Sequence, residues 1–115
     1  MIRTVDEMQS SNITDCHGGK GDLQCRLVLG GEDCESDVSF MHDDVLEPGA
    51  EIGEHTHEGT EEIYFIVEGH GTMIVDGDER PAGPGNVSIC HSGHSHGIRN
   101  SEHGQMRLIV AGMKL

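Results

Sequence analysis

Two histidines stand one residue apart at His55 and His57, and a carboxylate, Glu62, follows five residues later. All three lie in residues 49–69, a stretch that runs from one glycine through a turn into the apolar segment IYFIV and ends on another glycine. Side chains of an extended strand alternate faces, so His-x-His on a strand points both imidazoles to one side. A carboxylate on the next strand can approach that pair from a neighbouring direction. Two nitrogens and an oxygen converging inside a barrel suit a divalent transition metal. A further ligand has to come from elsewhere in the chain.

The elements that must position these residues are short strands. Leu23, Cys25, Leu27 and Leu29 occupy every second position, a period of two that predicts a strand over residues 23–29. A second strand is expected over 38–42, with Val38, Phe40 and His42 on one face. Glu47-Pro48-Gly49 is a turn signal, and a third strand over 52–57 carries the histidine pair. Residues 62–68 form a fourth, strongly β-prone strand. Asp76-Gly77 marks a hairpin after a strand at 72–75, and further strands are expected at 86–90, 95–100 and 106–111. About eight strands at steady spacing, with no long helical period, indicate an antiparallel sandwich or barrel. Residues 1–20 are polar and read as a lead-in with a short helical turn near Val5 to Met8, and residues 21–115 as one β domain.

Composition narrows the function. The 115 residues make one domain, and 17 glycines fit a chain of many turns. With 7 Lys and Arg against 21 Asp and Glu, the formal charge is −14, which argues against nucleic acid and against an anionic membrane surface. MIRTVDEMQSS has no apolar run of the signal-peptide kind, and no stretch approaches membrane-spanning length, so a cytoplasmic protein is expected. Cys16, Cys25, Cys34 and Cys90 show no Cys-x-x-Cys spacing and are expected to stay reduced.

A second motif sharpens the first. Gly49, His55, His57, Glu62 and Gly69 match the first motif of the cupin superfamily: glycine, five residues, His-x-His, a short gap, glutamate, six residues, glycine. Gly85, Gly93, His96 and Asn100 match the second, with His91 where a proline is usual. The chain therefore resembles a small, single-domain cupin of the cupin 2 conserved-barrel type over residues 49–100. That resemblance implies an all-β double-stranded β-helix, or jelly-roll barrel. It also implies His55, His57, Glu62 and His96 as ligands of one divalent ion: iron, manganese, nickel, zinc or copper.

The resemblance implies a metal-dependent enzyme acting on a small oxygenated substrate, of the dioxygenase, decarboxylase, lyase or sugar-isomerase kind. The alternative is a non-catalytic module that binds or senses a small molecule. His42 and Tyr64 are candidates for proton transfer or for orienting a substrate, since alternation turns Tyr64 to the face of Glu62. Alternation puts none of Arg26, Arg80, Arg99 and Arg107 on the ligand face, which disfavours a polyanionic substrate. His17, His70 and His103 lie in turn-like segments and are expected to be exposed, and His94 to sit near the barrel mouth. A homodimer is expected, because small jelly rolls leave sheet edges to cover.

Overall fold

A computed structural model describes residues 1–115. Ten strands follow in order: β1 (Ser10–Thr14), β2 (Asp22–Gly30), β3 (Val38–Leu46), β4 (Glu51–Thr56), β5 (Thr60–Glu68), β6 (Gly71–Val75), β7 (Asp78–Ala82), β8 (Val87–Cys90), β9 (Ser95–Asn100) and β10 (Met106–Lys114). They form a six-stranded sheet in the order β1-β2-β3-β10-β5-β8 and a four-stranded sheet in the order β4-β9-β6-β7. Every pairing is antiparallel. This is the expected all-β jelly roll.

The strands form where alternation and turn chemistry dictate. On β5, Glu62, Tyr64 and Ile66 are buried while Phe65 and Val67 face out. The inner faces of the two sheets meet in a core that includes Leu23, Leu46, Ile52, Ile66, Met73, Ile98, Met106 and Leu108. The Pro48-Gly49 turn closes with Ala50 N–H donating to the Glu47 carbonyl, and Gly49 takes φ +77°, which a side chain would resist. Asn100 ties the strand ends together: its amide donates to the carbonyls of Leu46, Glu47 and Gly104.

The structure differs from expectation in three places. The sheet begins before residue 21, because Ser10–Thr14 pairs with β2 and so joins the lead-in to the domain. The segment 78–82 is a strand that completes the Asp76-Gly77 hairpin despite Pro81, which is accommodated because β7 is an edge strand. The second strand runs past His42 to Leu46, which carries its inward alternation on to Asp44.

Candidate functional site

β4 and β9 are neighbours, and their register sets His55 directly opposite His96. His57 lies just beyond the end of β4, held there by backbone bonds from His57 N–H to His94 O and from Gly93 N–H to His57 O. Glu62 enters from β5 in the other sheet. The four side chains meet between the sheets, with one potential ligand atom from each inside a 4.8 Å span. His57 Nε2 is 3.0 Å from His96 Nε2, and His96 Nε2 is 3.1 Å from Glu62 Oε1. His57 Nε2 stands 3.5 Å from Glu62 Oε2, and His55 Nε2 3.9 Å from Glu62 Oε1.

The tautomer of His55 is set from outside the cluster. His55 Nδ1–H donates to the Gly53 carbonyl at 2.7 Å, which leaves Nε2 as a lone pair turned inward. Nδ1 of His57 is 3.3 Å from the Thr60 hydroxyl. The Nε2 of His55 is buried without any hydrogen-bond partner. Several lone pairs and a carboxylate facing one another repel unless a positive charge lies between them. Ligand atoms about 2.1 Å from a common ion and at right angles stand about 3 Å apart, close to the shorter separations here. The donor set therefore fits a divalent transition metal.

Electrostatics agree with that fit. Burial works against ionised Glu62, but its contacts with His55 and His96 outweigh this and hold the carboxyl well below the usual range. Burial likewise lowers His57. At His55 burial is outweighed by the bonds to Glu62 and Gly53, so its value is raised. Glu62 is thus an anion awaiting a cation at neutral pH.

Two residues that flank the cluster fix its rings. Tyr64, 1% exposed, stacks on His96, 0% exposed, with centroids 4.3 Å apart and 18° between planes. His17 stacks on His55 at 3.7 Å and 15°. His17 is exposed, as expected, but it does not stand apart from the site: its ring covers that of His55 and borders the neighbouring cavity. A short 3₁₀ turn at Cys16–Gly18 lies across β4, with Glu51 N–H donating to the Lys20 carbonyl. The chain approaches so closely that a β-carbon on Gly53 would collide with the His17 carbonyl. Only a glycine admits that crossing, and His17 itself sits at φ +51°. No local pattern in residues 15–21 announces this contact, because it depends on the packing of the strap on β4.

Glu62, Tyr64 and His17 also border a cavity of about 140 Å³ whose walls are mostly apolar, among them Ile13, Leu23, Phe40, Ile52 and Val110. His42 lines it too, stacked on Phe40 at 4.4 Å, and burial lowers its pKa. Asp44 and Cys25 complete that wall, with one Cys25, one His42 and one Asp44 donor atom within 4.8 Å of one another. Asp44 was not among the expected site residues; extending the alternation of Val38, Phe40 and His42 by one step reaches it. No lysine or arginine lines the cavity.

The remaining histidines stand apart. His94 faces Asp76, with Nδ1 2.5 Å from Oδ2, and His91, in the position usual for proline, pairs with Glu61 at the surface. All four cysteines are unpaired. No helix is long and apolar enough to cross a membrane.

Comparison with known proteins follows the same lines. Residues 43–112 match the family model described as a cupin domain. An oxalate-binding protein from Thermotoga maritima is 33% identical over 101 residues, covering 88% of this chain and 84% of its own. A Thermotoga maritima crystal structure described as a predicted oxalate decarboxylase superposes with a TM-score of 0.94 at 30% identity over the whole of both chains. A sugar phosphate isomerase from Silicibacter pomeroyi shares the fold with a TM-score of 0.79 at 19% identity, over all of this chain and 76% of that one.

Proposed function

Since the chain belongs to the cupin family, we propose that it is a metal-dependent enzyme for a small oxygenated molecule, with His55, His57, Glu62 and His96 holding one divalent transition-metal ion. The observation that carries this reading is the convergence of three imidazoles and an ionised carboxylate at one point with no cationic side chain among them. Iron(II), manganese, nickel, zinc and copper all accept such a nitrogen and oxygen set, whereas calcium prefers oxygen alone. The bound ion would act as a Lewis acid toward a substrate oxygen.

This chain's own residues define what else enters. Glu62 belongs both to the ligand cluster and to the cavity wall, so the cavity is the route by which a ligand reaches the ion. At about 140 Å³ it suits a molecule of few heavy atoms, well below the roughly 300–1,000 Å³ of drug-sized pockets. The name of the oxalate-binding relative fits that size and an oxygen-rich ligand. His42, on the cavity wall, is the group available to exchange a proton with the ligand. Tyr64 acts by holding the ring of His96, and His17 by holding that of His55. The apolar walls exclude water around the ligand.

A non-catalytic binding role is the second reading, and the name of the same relative favours it. Metal-loaded protein offered a panel of small carboxylates and sugars separates the two. Turnover supports an enzyme, and saturable binding without turnover supports the binding module. The unpaired cysteines fit a reducing, cytoplasmic setting. A second copy of this chain fits the outward face of β5 and β8, where Phe65, Val67, Val87 and Ile89 are exposed beside the free edge of the sheet.

A further inference from the structure

The cavity presents a problem of charge. A divalent ion with Glu62 leaves a net charge of +1, and a doubly ionised carboxylate ligand would turn that to −1. No lysine or arginine lines the cavity to offset it. Yet the wall carries a second carboxyl, Asp44, only 5% exposed, whose Oδ1 is buried with no hydrogen-bond partner. A buried carboxyl oxygen without a partner is costly and marks a place where something is missing.

We propose that Asp44 receives the metal-distal end of the ligand, entering the complex as a neutral carboxylic acid that donates a hydrogen bond from its buried side chain. The proposal rests on the metal-centred reading above and adds that ligand uptake is linked to a proton on Asp44. The ligand class is a small dicarboxylate, one end at the ion and the other at Asp44.

The surroundings favour the neutral acid. Asp44 lies directly across from Cys25 on β2 and from Leu108 on β10, and His42 is two residues away on its own strand face. The charged and titratable groups around it are Cys25, His42, Cys16, His17, Tyr64 and Glu62 on the cavity side. Asp43 adds a charge from the opposite face, where Arg107 and Arg26 engage it instead of Asp44. Burial pushes Asp44 up to about 6, with the charges of Asp43 and Glu62 adding to it and the Cys25 contact opposing it. The neighbouring thiol is no competitor for the negative charge, because burial and Asp44 push it up to about 12. An incoming anion moves Asp44 further toward its protonated form.

Calorimetric titration of manganese(II)-loaded protein with oxalate between pH 5.5 and 8.5 tests this, with metal content verified at each pH. Oxalate stays fully ionised over that range, so changes in affinity report the protein. For the unaltered chain the affinity should fall by about tenfold per pH unit above about pH 6, with close to one proton taken up on binding at the alkaline end. Asp44→Asn, which resembles the neutral acid and keeps a donor, should bind at least as well as the unaltered chain at pH 5.5. Its affinity should be flat with pH and its proton uptake absent.

Equal pH profiles in the two proteins would overturn the proposal, as would oxalate binding without proton uptake by the unaltered chain, and in both cases the metal-centred reading would stand. Failure of the metal-loaded, unaltered chain to bind oxalate at any pH would overturn the dicarboxylate assignment. If that protein also took no other small oxygenated ligand, the metal-centred reading would fall with it.

Discussion

The ring of Tyr64 lies flat against that of His96, centroids 4.3 Å apart, with both side chains buried. The two residues come from different sheets, β5 and β9, so this stack joins the sheets at the site. Removing the ring in Tyr64→Ala should cost about 3–5 kcal/mol of stability and free His96 to turn. Tyr64→Phe keeps the stack and should leave both melting and metal content close to normal. Burial and the charge of Glu62 raise the Tyr64 hydroxyl well above 10, which makes it a poor proton donor. Loss of turnover in Tyr64→Phe with metal content retained would assign the hydroxyl a chemical role instead.

Gly53 is where the strap carrying His17 crosses β4. A β-carbon there meets the His17 carbonyl oxygen and the Gly19 amide nitrogen. Gly53→Ala should therefore push the strap off the strand at a cost of about 1–3 kcal/mol, with faster amide exchange over residues 15–21 and loosened metal retention. Unchanged exchange there would mean that the His17–His55 stack is held by other contacts.

Asp43 faces the opposite side of β3 from Asp44 and receives two hydrogen bonds from Arg107, each 2.8 Å long, and one from Arg26 at 3.3 Å. Those contacts outweigh its burial and lower its pKa from 3.8. A depressed carboxylate contributes stability that is present above its unfolded value and lost as the pH falls through the folded one. Both arginines are more than a third exposed, so Asp43→Asn should cost only about 1–2 kcal/mol at neutral pH. Chemical denaturation of the two proteins should give a gap that closes below about pH 4. A gap that widens in acid would contradict the assignment.

The apolar strip on β5 and β8 predicts self-association. Phe65 and Val87 are cross-strand partners, and both are exposed. Equilibrium sedimentation should find a dimer that the pair of changes Phe65→Lys and Val87→Lys converts to a monomer without altering the fold. A chain that sediments as a monomer up to its solubility limit would rule this face out as a dimer interface.

The legible parts of the sequence were those with local signals. Alternation on β5 gave the inward direction of Glu62, Tyr64 and Ile66, and the two cupin motifs gave a set of four residues that the fold brings together. Asp44 was within reach of the same alternation but lay beyond the expected end of its strand. His17 was not legible, because its place depends on a glycine crossing between the strap and a strand more than thirty residues away. The strand β1 escaped because SSNIT carries one apolar residue and is held by pairing with β2 rather than by propensity.

The central claim is that His55, His57, Glu62 and His96 hold one metal ion, and Glu62 is the residue that joins this cluster to the cavity. Elemental analysis of the purified protein, beside a Glu62→Ala variant whose β-sheet signature is intact, tests it most directly. The account predicts close to one divalent transition-metal ion per chain in the unaltered protein, sharply less in the variant, and release from the unaltered protein as acid protonates the imidazoles. Equal metal content in the two proteins, or metal fully retained at a pH where histidines are protonated, would contradict it.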